Sequence, residues 1–210
     1  MTAGKITGDF DVTGNITRGG THRPDIPRTN LQQEALVVYP IPWELWRVFD
    51  AFATLLPGTP ATDDLGLVGG TFATDTPSLQ TEDLKAAGAT NKRARCVLQV
   101  PAEYDAGATM KLRFSAGMLT AVADTTATLD VEAFLFDREG VVSGSDLITT
   151  AATTINSLTL ADKDFTIDAG ALSPGDQLDV RITIAVNDAA GGTAVKGIIG
   201  SAELLCDIRG

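Results

Sequence analysis

The sequence predicts an all-β chain, an antiparallel two-sheet sandwich. Three observations lead there. Leu178, Val180, Ile182, Ile184 and Val186 recur at every second position, with Gln177, Asp179, Arg181, Thr183 and Ala185 between them. A strand turns successive side chains to opposite faces, so this run has one apolar and one mostly polar face. The same alternation returns in several other segments, which are joined by Gly-, Pro- and Asp-containing turns and not by helical periods. Thr, Ala and Gly dominate the composition, which suits sheets and turns better than long helices.

Residues 1–30 stand apart as an extended N-terminal arm and linker. Ile6-Thr7-Gly8-Asp9-Phe10-Asp11 is followed by the similar hexad Val12-Thr13-Gly14-Asn15-Ile16-Thr17. Such a unit cannot bury its apolar side alone and needs stacked neighbours or another chain. Arg18 to Arg28 reads as a linker, because Pro24 and Pro27 block a helix and hold their predecessors extended. Lys5, Arg18, Arg23 and Arg28 make this arm basic on an acidic body.

The sandwich is expected over residues 31–210. Leu36 to Tyr39 is a short strand interrupted by Pro40-Ile41-Pro42. Trp43 to Leu56 carries both tryptophans and two phenylalanines; extended structure is expected, as a core cluster or an aromatic subunit interface. Residues 57–70 read as loop, Thr71–Ala73 and Ser78–Thr81 as strands, and Glu82–Thr90 as a connecting turn. Arg93–Val100 turns Ala94, Cys96, Leu98 and Val100 inward. Met110, Leu112 and Phe114 repeat the pattern, as do Leu129, Val131, Ala133 and Leu135. Short extended pieces at Thr154-Ile155, Leu158–Leu160 and Asp164–Ile167 precede Ser173-Pro174-Gly175-Asp176, a turn in which proline presets φ and glycine accepts a positive one. Ala202, Leu204, Cys206 and Ile208 close the chain on one face. About eight strands so joined make a sandwich of jelly-roll type.

Bulk properties exclude several classes of partner. Lys and Arg number 16 against 27 Asp and Glu, a net charge of −11. Such a chain lacks the electrostatic footprint of a nucleic-acid or anionic-membrane binder. No apolar run reaches membrane-span length, and residues 1–20 have no apolar signal core, so the expectation is a protein made in the cytosol. Cys96 and Cys206 fall at apolar strand positions and read as buried free thiols.

Chemistry is sparse. His22, the one histidine, lies in the proline-flanked linker, a poor place for an imidazole that must be held rigidly beside a nucleophile. No cysteine or histidine spacing suits zinc, Gly140–Gly144 misses the nucleophile-elbow spacing by one residue, and no phosphate-binding glycine motif occurs. Glu82/Asp83, Glu103/Asp105 and Asp162/Asp164 are the carboxylate pairs in reach of glycoside hydrolysis. Asp63-Asp64 with Asp75, or Asp162 with Asp164, offers oxygen ligands for calcium without calcium-loop spacing. All of these fall in or at the ends of expected turns, where carboxylates are ordinarily solvated. No catalytic residue, cofactor or metal site is expected.

The repeat ITGDFDVTGNIT resembles the N-terminal shaft units of tailed-phage fibre proteins. The body, with VLQVPAEYDAGATMKLRF, a Thr-rich middle and LSPGDQLDVRITIAV, resembles jelly-roll virion proteins of tailed phages over most of residues 90–187, in pattern more than in identity. These trimerise as capsid-decorating or fibre-head subunits. The resemblance implies a structural role in a virion, a homotrimer and no catalysis. The expectation is a capsid-surface decoration subunit that binds the major capsid protein or another virion protein. Its arm would attach through Ile6, Phe10, Val12, Ile16, Arg18, Arg23 and Arg28, and its bodies would meet through outward apolar residues Val97, Phe134, Phe136 and Leu205. Within virions the alternative is a fibre or baseplate subunit with carbohydrate-receptor binding. A carbohydrate-binding module and a carboxylate glycosidase are the other classes.

Overall fold

The computed structural model describes residues 36–61, 63–70, 74–136 and 144–208, and the backbone of 17–18 and 21–22. The expected strand Thr71–Ala73 and most of the arm lie outside the described residues. The chain divides into two compact units, Met1–Gln32 with Arg209–Gly210, and Gln33–Ile208. In the first, β1 (Thr17–Arg18) and β2 (Thr21–His22) pair antiparallel, Thr17 opposite His22.

The second unit is the two-sheet jelly-roll sandwich. Its smaller sheet runs β6 (Gly88–Gln99), β11 (Gln177–Asp188), β8 (Thr126–Phe136), β9 (Thr153–Thr154). β11 is paired along its length on both sides, to β6 and to β8. The clearest alternation in the sequence therefore belongs to a central strand. Leu178, Val180, Ile182, Ile184 and Val186 are all buried in the core. Burying each such side chain contributes roughly 1.5–3 kcal/mol. The turn feeding β11 has Gly175 at φ +86, the left-handed region expected of it. Asp176 holds that turn by accepting the Ser173 N–H at 2.7 Å.

The larger sheet runs β10 (Ala161–Ile167), β7 (Met110–Met118), β12 (Gly197–Cys206), β5 (Ser78–Gln80), β4 (Gly66–Val68). β3 (Val37–Pro40) pairs with the end of β12 beyond β5. Phe114 of β7 anchors its inner face, edge-on to Phe165 at 6.1 Å and to Trp46 at 6.3 Å between ring centres. The two sheets approach closely at Gly197, where a Cβ would stand 2.8 Å from Ile184 Cγ2.

Several elements differ from the sequence reading. Trp43–Leu45 forms one 3₁₀ turn and the chain to Leu56 is irregular, bridging the backbone of β6 where Arg47 pairs with Arg95. Pro40 and Pro42 break the ladder, and Trp46 alone of the aromatic run is fully buried. Its neighbour Phe52 is 43% exposed, so core and surface share this segment. β4 falls in the expected loop 57–70, and β6 and β12 start earlier than the alternation of apolar residues shows, because Gly88, Ala89 and Gly197 carry no large side chain to mark a face. Asp162, expected in a turn before a strand at 164–167, lies with Asp164 inside β10.

Candidate functional site

The outer face of the smaller sheet holds the most developed side-chain arrangement on the surface. Register places Val97, Asp179 and Phe134 in one row across β6, β11 and β8, and Arg95, Arg181 and Glu132 in the next. Asp179, expected on the polar outward face, is only 2% exposed. Arg95 donates from Nε and Nη2 to its two oxygens at 3.1 and 2.6 Å, and Arg181 donates from Nε at 2.9 Å. One carboxylate thus holds two guanidinium groups flat on the sheet, a geometry that lysine could not supply.

The guanidinium groups in turn carry aromatic rings. Arg181 lies 4.2 Å from the Phe134 ring centre, Arg95 5.3 Å from that of Phe52, and Arg93 5.1 Å from that of Phe49. Such stacks contribute about 0.5–1 kcal/mol each where exposed. Together they fasten the loop carrying Phe49 and Phe52 across the upper edge of β6. Leu55 of the same loop is 61% exposed. The result is a surface of arginine, aromatic and aliphatic groups, and arginine and aromatic side chains are enriched at protein interfaces.

Of the four expected contact residues, Val97, Phe134 and Phe136 share this face and are half-buried. Leu205 is not among them. It belongs to β12 in the other sheet, opposite Lys111 and Val38, and at 4% exposure it offers no surface. Ile6, Phe10, Val12, Ile16, Arg23 and Arg28 lie outside the described residues; Arg18 is placed only as backbone in β1.

A second feature opens at the same edge. A polar cavity of about 440 Å³ is lined by Phe49, Asp50, Asp63, Asp64, Thr90 and Arg93, among others. Asp64 accepts the Phe49 N–H at 3.1 Å, which fixes the cavity wall. Carboxylates, a hydroxyl and a guanidinium around one space can hydrogen-bond a polyhydroxylated molecule.

Glu82, Asp83 and Asp164 are engaged in the fold, while Glu103 is exposed. Arg113 donates to both oxygens of Asp164 at 2.6 and 2.9 Å, and Lys111 stands 3.6 Å away. The hydrogen bond from Arg113 is the main reason that Asp164 is held below the usual carboxylate range. Glu82 accepts from Lys92 Nζ at 2.7 Å, and Asp83 accepts the Val195 and Lys85 N–H groups. Among the described residues no group of His, Cys, Asp and Glu is disposed to hold a metal ion. Cys96 and Cys206 are free and buried. Burial, with help from nearby carboxylates, pushes the Cys206 thiol up to about 11 and Cys96 well above its usual value.

Lys92, and Asp188, which the sequence puts at the start of a turn, are both buried, at 1% and 2% exposure. Parity gave the signal. Lys92 continues the inward series of Ala94, Cys96 and Leu98, and Asp188 continues that of Ile184 and Val186. Asp188 accepts the N–H groups of Ala86 and Asp124, both at 2.9 Å, and so ties two loops to the end of β11.

No protein-family model matches the chain, and no curated protein matches it. Among solved structures, the CBM22-1 xylan-binding domain of Paenibacillus barcinonensis Xyn10C is similar at 10% identity and a TM-score of 0.38, over 70% of this chain and 83% of that one. The xylan-binding module CBM15 is similar at 14% identity and a TM-score of 0.39, over 83% and 99%. A structure of the infectious bursal disease virus Gx strain is similar at 17% identity and a TM-score of 0.36, over 84% and 33%. No functional residue passes from these to this chain.

Proposed function

We propose that this chain is a structural, non-catalytic subunit of a tailed-phage virion, a trimeric capsid-surface decoration protein. Its bodies associate through the outer face of β6, β11 and β8, and residues 1–30 anchor it to the major capsid protein or another virion protein. One observation carries the reading: the half-buried row of Val97 and Phe134 around the clasped Asp179, continued by exposed Phe52 and Leu55. Monomers seldom leave so apolar a face uncovered. Arginine and aromatic groups are also the side chains that most often dominate binding energy at interfaces. The resemblance of the hexad repeat and of the strand pattern to phage virion proteins supplies the setting, and the net charge of −11 argues against nucleic acid as the partner.

The test is a mixing experiment with particles lacking this protein, read by electron microscopy. Full-length protein is expected to decorate them, and protein without residues 1–30 is expected to stay off while remaining folded. Equal occupancy by both would move the attachment to the sandwich.

The 440 Å³ cavity favours a second reading, a fibre or baseplate subunit that binds a carbohydrate receptor. Titration of host-surface glycans against the full-length chain and its Asp63→Ala variant decides this. Binding lost in the variant supports it, and no binding by either rejects it.

A further inference from the structure

We propose that the open edge of β6 at Val97–Gln99 is a strand-addition site for residues Ile6–Ile16 of a second copy of this chain. This deepens the proposed trimer and rests on it; it gives the apolar half of the arm to a neighbouring subunit and leaves Arg18, Arg23 and Arg28 for the capsid contact.

The edge is covered in the middle and open beyond Arg95. Odd-numbered residues of β6 point their N–H and C=O groups away from β11. Arg93 satisfies its pair with Leu65 and Asp63, and Arg95 with Arg47. The loops then leave the strand, and among the described residues Val97 and Gln99 have no backbone partner on this side. An unpaired edge is a template for another chain's strand. Beside it lies an apolar cavity of about 160 Å³ walled by Tyr39, Pro42, Leu45, Leu98, Pro101 and Leu204, among others, with no charged residue in its lining. Leu45 is 37% exposed there. Pro42 and Pro101 have no N–H, and Ile41 and Leu45 have theirs bonded to Ala202 and Pro42. The groove thus offers apolar contact from its walls and hydrogen bonds from β6.

The segment that fits is written in the sequence. From Ile6 to Ile16 the even positions read Ile, Gly, Phe, Val, Gly, Ile and the odd positions read Thr, Asp, Asp, Thr, Asn. As a strand this has one apolar and one acidic-polar face. Added to β6, its apolar face would enter the groove between the sheets. Asp9 and Asp11 would extend the outer face next to Val97, toward the guanidinium group of Arg95, which Asp179 clasps from the other side. Main-chain bonds give such a contact affinity, and the alternate pockets and charges set its register.

Single-cysteine variants of the full chain test this. One preparation carries Gln99→Cys and is labelled with ¹⁵N. Unlabelled partners carry Thr7→Cys, Asp11→Cys or Thr13→Cys, and the pairs are mixed in a thiol–disulfide buffer. A disulfide between labelled and unlabelled chains is expected for at least one of the three. It should disappear when Phe10→Asp is added to the unlabelled chain, and should not form when Leu158→Cys, exposed on another loop, replaces Gln99→Cys. Light scattering on the same mixtures separates the two claims. A trimer without the disulfide, or with equal cross-linking to position 158, overturns the strand addition and leaves the trimer standing. A monomer overturns both.

Discussion

Arg95 on β6 and Asp179 on β11 form a two-pronged ion pair across adjacent strands, Nε to Oδ1 at 3.1 Å and Nη2 to Oδ2 at 2.6 Å, on a sheet face that would otherwise be open to water. Arg181 shares the same carboxylate, so among the described residues Asp179 is the one ion-pair partner of both. Asp179→Ala should therefore cost more than a surface ion pair, roughly 1.5–3 kcal/mol as for a hydrogen bond to a charged group. Urea unfolding measures it. An unchanged midpoint would show that the arginines find water as readily as the carboxylate.

The turn into β11 should resist a side chain. Gly175 sits at φ +86, where a Cβ crowds the following carbonyl. Gly175→Val is expected to cost about 1–2 kcal/mol and to lower the thermal midpoint. Melting at the unmodified temperature would rule out the positive φ.

The sheets should also resist separation at Gly197. A Cβ there meets Ile184 Cγ2 at 2.8 Å, so Gly197→Val should destabilise by about 1–3 kcal/mol of overpacking. Ile184→Ala removes the atom in conflict. The double variant should then be more stable than the sum of the single changes predicts, and strict additivity would mean that the two sites do not touch.

Acid should weaken the fold through identifiable carboxylates. The Arg113 hydrogen bond holds Asp164 below the usual range, and the N–H groups of Asp124 and Ala86 do the same for Asp188. A depressed folded pKa contributes stability in full above the unfolded value of about 3.9 and loses it as pH falls below that value. The urea midpoint should fall as pH drops through 4, and Arg113→Met should flatten that fall by releasing Asp164. An identical pH profile in the variant would remove Asp164 from the explanation.

Much of the fold was legible because side-chain parity is a local property. β11, the inner faces of β6, β7 and β8, and the positive φ at Gly175 could all be read from spacing alone. Parity says which face a residue takes but not what covers that face. Asp179 takes the outward side as expected, and is buried because Arg95, 84 positions away, and Arg181 close over it. The cavity beside β6 is likewise assembled from residues 49–64 and 89–93, which no spacing rule connects. Leu205 shows the reverse: an outward apolar residue on β12 that a single chain already covers.

The mass of the full-length chain by light scattering at micromolar concentration tests the proposed assembly most directly, with Phe134→Glu measured alongside. The expected result is a trimer for the unmodified chain and dissociation in the variant, whose added charge would lie in the centre of the joined faces beside Arg181. A stable 21.9 kDa monomer for the unmodified chain would contradict it.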